Sequence, residues 1–202
     1  SPQIGVFMQG NDHTLAEAHI HDAARQCSDC GSFYMGREWT YRGNSIIGSR
    51  FSGLNSIWGA VSAVYLDDQL SSVRIDSCIF DHHTGMVLEL GGGRHNVFSN
   101  NIINGSGGYI HFDSRGGGGS RCVQPGRMPF VFLARVPYNT SAAWKQYPGL
   151  SDILHDDPCS PKHNQIVGNI LCGGATSLGL EPSSVLKWGS LMENNTGKPG
   201  FC

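Results

Sequence analysis

Charge is scarce in this chain. Only 15% of its 202 residues are charged, the formal net charge is −2, and lysine occurs four times. A cationic field of the kind that draws proteins to nucleic acid or anionic membranes is therefore lacking. No apolar run approaches the roughly 18 residues of a bilayer span, which argues against membrane insertion. A signal peptide and an initiating methionine are also missing. Ser1-Pro2-Gln3 leads straight into the apolar run Ile4 to Met8, as though the chain were entered mid-fold.

Two familiar cofactor motifs lack their context. Cys27-Ser-Asp-Cys30 is a CxxC pair, but it has neither a thioredoxin-like helix start nor a second ligand pair, so structural cysteines are expected. Gly91-Gly92-Gly93 is not followed by Lys-Ser/Thr or a helix, which argues against a phosphate loop. His82-His83 has no spaced third ligand. No metal and no cofactor are expected.

What the chain does have is glycine, cysteine and a repeat. The 28 glycines are about twice the usual share. Seven cysteines accompany three Asn-x-Ser/Thr sequons, at Asn104, Asn139 and Asn194, and together these favour an oxidising, secreted setting. The odd count leaves at least one thiol free, buried or bonded elsewhere.

The repeat is built on tetrads of the form x-Ile-apolar-polar: 45–48, 78–81, 101–104 and 169–172, with 19–22 as a weaker copy. A second landmark stands six residues upstream, where His13, His95 and His163 precede His19, Asn101 and Asn169; Trp39 and Ser72 hold that column in the other copies. Spacings of 23 to 33 residues between the isoleucines at 20, 46, 79 and 102 describe stacked coils with strands about 4.8 Å apart. The step from Ile102 to Ile170 fits one or two turns plus a large insertion. Gly and Asn suit left-handed corners, and Asn can also form ladders up the stack. After each tetrad comes a longer apolar strand: Gly31–Met35, Ala63–Leu66, Met86–Leu90 and Tyr109–Phe112, with Gly5–Met8 as an earlier copy. The fold expected is all-β, a right-handed parallel β-helix, spanning residues 1–202 as one domain.

Residues 113–162 interrupt the repeat and read as a loop insertion with short helices, one of them capped by Ser141. Cys122 and Cys159 bracket it, and a disulfide between them would close a long loop.

Carboxylates stacked on adjacent coils would lie about 5 Å apart, and a lateral offset widens this. Glycoside hydrolysis needs two carboxyls at about 5–5.5 Å for retention or 6.5–9.5 Å for inversion. Asp29 precedes one strand and Asp67-Asp68 ends the next, so Asp29 with Asp67 or Asp68 is the candidate acid and nucleophile or base. Strand alternation sends Asp67 and Asp68 to opposite faces unless a bulge intervenes. An aspartate crowded by another would have a raised pKa and could serve as the acid. Arg37, His111, Asp113 and Arg115 are candidate sugar contacts, with Tyr34 or Trp39 as a stacking platform. His13, His95 and His163, recurring in one column, argue for a structural stack.

Several stretches carry a family resemblance: 10–13, 28–37, 65–68, 91–96, 110–116, 144–148 and 199–201. Through them nearly the whole chain resembles right-handed parallel β-helix proteins related to carbohydrate-active enzymes, of which glycoside hydrolase family 141, with its fucosidases and xylanases, is the nearest. The resemblance implies a polysaccharide or glycan partner. Those proteins are longer, so it also implies that this chain is an internal stretch of coils, open at both ends to more chain or to end-to-end self-association. A lyase would need a base and cationic groups facing a uronate, and no cationic groove is evident. The other readings are a non-catalytic extracellular solenoid and a carbohydrate-binding module.

Overall fold

Short apolar triplets joined by left-handed corners wind the chain into stacked coils. The computed structural model describes residues 1, 3–81, 85–105, 109–115, 121–173, 177–180 and 182–197, with 121 and 128 as backbone only. The first coil holds β1 (Val6–Phe7), β2 (Thr14–Ala16) and β3 (His19–His21), and the second β4 (Cys30–Gly36), β5 (Asn44–Ile47) and β6 (Arg50–Ser52). The third holds β7 (Val61–Asp67), β8 (Val73–Asp76) and β9 (Ile79–Asp81), and the fourth β10 (Met86–Gly91), β11 (Val97–Ser99) and β12 (Ile102–Asn104).

The fifth coil opens with β13 (Tyr109–Asp113) and leaves the stack through α1 (Met128–Leu133) and α2 (Ala142–Lys145). It then returns as β14 (Gln165–Val167) and β15 (Ile170–Cys172). The last coil has α3 (Pro182–Leu186), β16 (Leu191–Glu193) and β17 (Thr196–Gly197). Every pairing is parallel, giving a first sheet β1-β4-β7-β10-β13, a second β2-β5-β8-β11-β14-β16 and a third β3-β6-β9-β12-β15-β17. The fold is the expected parallel β-helix.

Its core is three columns of inward side chains. Phe33, Val64, Leu88 and Ile110 stack on the first sheet. Ile46, Ile75, Phe98 and Ile166 stack on the second. Ile20, Phe51, Phe80, Ile103 and Leu171 stack on the third. All of these are buried, each contributing roughly 1.5–3 kcal/mol of apolar burial.

This registration corrects the sequence-derived columns. The tetrad 45–48 lies on the second sheet, whereas those at 78, 101 and 169 lie on the third. The true equivalent of Phe80 in the second coil is Phe51. The error arose because Ile46-Ile47 mimics the composition of the neighbouring sheet. The step of 68 residues between Ile103 and Leu171 is a single coil plus the insertion.

The corners explain the six-residue offset. Asp12, Gly43, Ser72, His95, His163 and Gly189 all have φ between 58° and 71° and form one corner column. Six residues later stand Ala18, Ser49, Cys78, Asn101, Asn169 and Asn195. The offset is thus one short strand plus two corners. His95 and His163 stack with ring centroids 4.9 Å apart. His13 falls one position past this column, beside Asn44, and Trp39 falls outside it.

The residues after each corner form buried ladders. Asn101 Oδ1 accepts from the Cys78 N–H at 2.9 Å, and Asn169 Oδ1 accepts from the Asn101 N–H at 3.0 Å. Asn195 repeats the pattern beneath Asn169. A second ladder runs through Asn96 and Asn164 to Ser190. These amides satisfy backbone groups that the corners take out of the sheets.

The insertion makes its own small core. Leu133, Leu150, Ile153 and the half-cystines Cys122 and Cys159 pack against Trp39, which is fully buried. The expected Cys122–Cys159 disulfide is present. Ser141 occupies the N-cap of α2, but its hydroxyl makes no capping hydrogen bond. Cys27 pairs with Cys30, Cys172 is also disulfide-bonded, and Cys78 is a buried free thiol.

Candidate functional site

The outer face of the first sheet presents one column from five successive coils: Phe7, Tyr34, Tyr65, Glu89 and His111. Phe7 and Tyr34 stack with their rings 5.7 Å apart, and Tyr65 meets Tyr34 edge-on at 5.4 Å. The next outward column is Gly36, Asp67, Gly91 and Asp113. The two glycines on either side of Asp67 make room. A Cβ on Gly36 would stand 2.7 Å from the Asp67 Cβ, and one on Gly91 would stand 2.8 Å from the Arg115 guanidinium carbon.

Into that space Arg115 folds back over the sheet. Its Nη1 donates to Asp67 Oδ1 at 2.8 Å and to the Tyr65 hydroxyl at 3.0 Å. Its Nη2 donates to Glu89 Oε1 at 2.8 Å and pairs with Asp113 at the same distance. Three coil levels are thus tied to one guanidinium; burial opposes its charge, but these partners outweigh that and raise its pKa.

Asp67 is buried and saturated. It accepts from Tyr34 at 2.7 Å, Arg37 Nε at 3.1 Å, Arg115 and the Asp68 N–H. Burial alone would raise its pKa, but the hydrogen bonds from Tyr34 and Arg37 hold it below the ordinary carboxylate value. Asp68 is different. About half its side chain is exposed, and burial of the remainder, followed by the Asp67 charge, raises its pKa.

Strand alternation does not separate these two carboxylates. Asp68 has a φ of 33°, so the chain leaves the strand at that residue. Arg37 Nε therefore reaches both, at 3.1 and 3.4 Å. Asp29, at a φ of 54° in the loop closed by Cys27–Cys30, is exposed and accepts from the Tyr65 hydroxyl at 3.1 Å. Links of 3.1, 3.0 and 2.8 Å through Tyr65 and Arg115 place the nearest Asp29 and Asp67 oxygens no more than about 9 Å apart.

The structure therefore gathers Asp29, Tyr34, Arg37, Asp67, Asp68, Asp113 and Arg115 on one face. His111 stands at its edge, 3.1 Å from Asp113. Trp39 is corrected: it is buried under the insertion and offers no stacking surface. Tyr65 and Glu89 stand out in the sequence only as parts of strands with polar ends, and the strand register marks them as partners of Arg115. Sequence reasoning passed over Trp58. This indole is 67% exposed in the loop beside Asp29, whose N–H donates to the Ala60 carbonyl. An unpaired Trp near a Gly (Gly59) in a loop was the available signal.

Asn139 and Asn194 are exposed and Asn104 is half-buried. His82-His83 lies outside the described residues. Among the described residues no group of three or more His, Cys, Asp or Glu is arranged to hold a metal ion, and no helix is long and apolar enough to cross a membrane. Compared with known protein families, curated proteins and solved structures, the chain matches none.

Proposed function

We propose that this chain belongs to a secreted carbohydrate-active β-helix of the kind that glycoside hydrolase family 141 exemplifies. In this reading a glycan lies over Tyr34, the half-buried ring of the first sheet, with buried Tyr65 beneath holding Asp29. Asp68 is the general acid and Asp29 the opposing carboxylate that activates water or attacks. Asp67 stays ionised and positions Arg37 and Arg115. The observation that carries this reading is geometric: exposed Asp29 lies 3.1 Å from the Tyr65 hydroxyl, and Arg115 Nη1 lies 3.0 Å from that hydroxyl and 3.9 Å from half-exposed Asp68. Burial, then the Asp67 charge, raises the Asp68 pKa, which suits it to the acid role. Asp29, Asp67, Asp68, Glu89 and Asp113 outnumber Arg37 and Arg115 at the site, which favours a neutral sugar over a uronate and disfavours a lyase. Three disulfide-bonded regions agree with an oxidising compartment.

The second reading is a glycan-binding module without turnover. It is favoured by the saturation of Asp67 and Arg115, which leaves neither free to move. Hydrolysis of fucosides and xylans, measured beside calorimetric binding of the same glycans, separates the two. Turnover lost in Asp68→Asn and Asp29→Asn with binding retained supports the enzyme. Binding without turnover in the unaltered protein supports the module. Neither would leave a structural solenoid.

A further inference from the structure

The outer face of β3 carries two histidines separated by one residue, His19 and His21, with Ile20 between them pointing into the core. Strand alternation puts both imidazoles on the same side, and their ring centroids are 4.9 Å apart. Two imidazoles bound to one ion through metal–nitrogen bonds of about 2.0–2.1 Å have centroids about 4.5 Å apart at the cis positions of a tetragonal ion and about 5 Å apart on a tetrahedral one. We propose that His19 and His21 chelate a divalent transition-metal ion, copper(II) most tightly, at the surface of the first coil.

Each ring has one nitrogen engaged and one available. His19 Nε2 lies 2.8 Å from the Ser52 hydroxyl, leaving Nδ1. His21 Nδ1 lies 3.1 Å from Asp22 Oδ2, leaving Nε2. A carboxylate on the non-coordinating nitrogen fixes the ring and raises its basicity, and Asp22 supplies one. Asp22 is itself set by its corner φ of 49° and by a hydrogen bond from its N–H to the Ser52 carbonyl. Both histidines are exposed, so an ion reaches them from solvent. Solvent fills the remaining positions, as no third protein ligand joins the pair among the described residues. Among first-row divalent ions the affinity of imidazole sites peaks at copper(II).

The site is independent of the first-sheet groove, so it stands or falls separately from the glycan reading. The test is copper(II) titration of the whole chain by calorimetry against a glycine competitor, with electron paramagnetic resonance counting the coordinated nitrogens. One ion bound through two imidazole nitrogens is expected. His19→Gln or His21→Gln should weaken binding on the order of a hundredfold, because the second ligand acts at high effective concentration. Asp22→Asn should weaken it by about tenfold. The double variant His82→Gln/His83→Gln should leave it unchanged. Binding that survives both single His variants, that disappears only in the His82/His83 variant, or that shows a single nitrogen would overturn the proposal. All the substituted residues on β3 are exposed, and circular dichroism on each variant establishes that the fold is kept.

Discussion

Tyr34 and Asp67 lie on neighbouring coils, 33 residues apart in sequence, and the phenol donates a 2.7 Å hydrogen bond to the buried carboxylate. Burial and that acceptor together raise the Tyr34 pKa, so the hydroxyl stays a donor throughout the neutral range. The bond joins the aromatic platform to the charged network, and the two cannot be altered independently.

Removing the acid should therefore be far more damaging than removing the phenol. Asp67→Asn leaves Arg37 and Arg115 short of a buried partner and is expected to lower stability by about 2–4 kcal/mol. Tyr34→Phe should lower it by about 1 kcal/mol. Urea unfolding of the two variants measures both.

Acid should act through the same residue. The folded-state pKa of Asp67 is below its unfolded value, so its contribution is complete above about pH 4. It disappears as the pH falls through the lowered folded value. Unfolding free energy plotted against pH should show a fall in this range that Asp67→Asn lacks.

His95 predicts an opposite charge change at higher pH. Burial first, then the charges of Arg42 and Arg94, pull its pKa down to about 4. Above about pH 6.5 it is neutral in both folded and unfolded chains and affects nothing. Between about 6.5 and 4 the unfolded chain takes the proton and the folded chain does not, so stability falls as pH falls. Its imidazole resonances should titrate near pH 4, and a normal midpoint would contradict the burial.

The ladder makes a prediction about the fold alone. Asn101 satisfies the Cys78 N–H, the Ile75 carbonyl and Asn169 Oδ1. Asn101→Ala strands the Cys78 N–H and the Ile75 carbonyl, whereas Asn169 Oδ1 keeps its bond from the residue 101 N–H, and should cost about 2–6 kcal/mol, at about 1–3 kcal/mol for each unsatisfied group. Asn139→Ala, at an exposed position of the insertion, should change stability by less than about 1 kcal/mol. Thermal unfolding of both variants checks the contrast.

Space beside Asp67 can be tested with one methyl group. Gly91→Ala meets the flexible guanidinium of Arg115, which can shift, whereas Gly36→Ala also meets the Asp67 backbone oxygen at 3.1 Å. Gly36→Ala should cost about 1–3 kcal/mol through overpacking. Gly91→Ala should cost less but loosen the Arg115 links to Asp67 and Glu89. Stability curves with Arg115 side-chain resonances distinguish the two effects.

The first sheet was legible in the sequence almost strand for strand, because its strands are long and uniformly apolar. The second and third sheets were confused because each strand offers only one inward residue per coil, so Ile46 and Phe80 look interchangeable until the pairing is known. The six-residue offset was real, but its repeating property is a backbone angle, which Asp12, Gly43 and His95 all satisfy with different side chains. Asp29, Asp67 and Asp68 could be marked as a group from strand ends. Their unequal environments depend on Arg115, folding back from beyond β13, and no local pattern announces that.

One consequence concerns how the stack closes during folding. Most rungs join residues 23 to 34 apart, but the rung from the Asn96 N–H to Asn164 spans 68. Closing the longer loop costs about 1 kcal/mol more in chain entropy than closing one of 23, and long-range closures are slow. The Cys122–Cys159 bridge removes 37 residues from that path. What remains is 31, the same separation that joins Asn44 to His13. Once oxidised, the insertion no longer lengthens the search, and the fifth coil can close at the pace of its neighbours. Refolding of the reduced chain should therefore be slower at this one level, by about fivefold from the loop entropy.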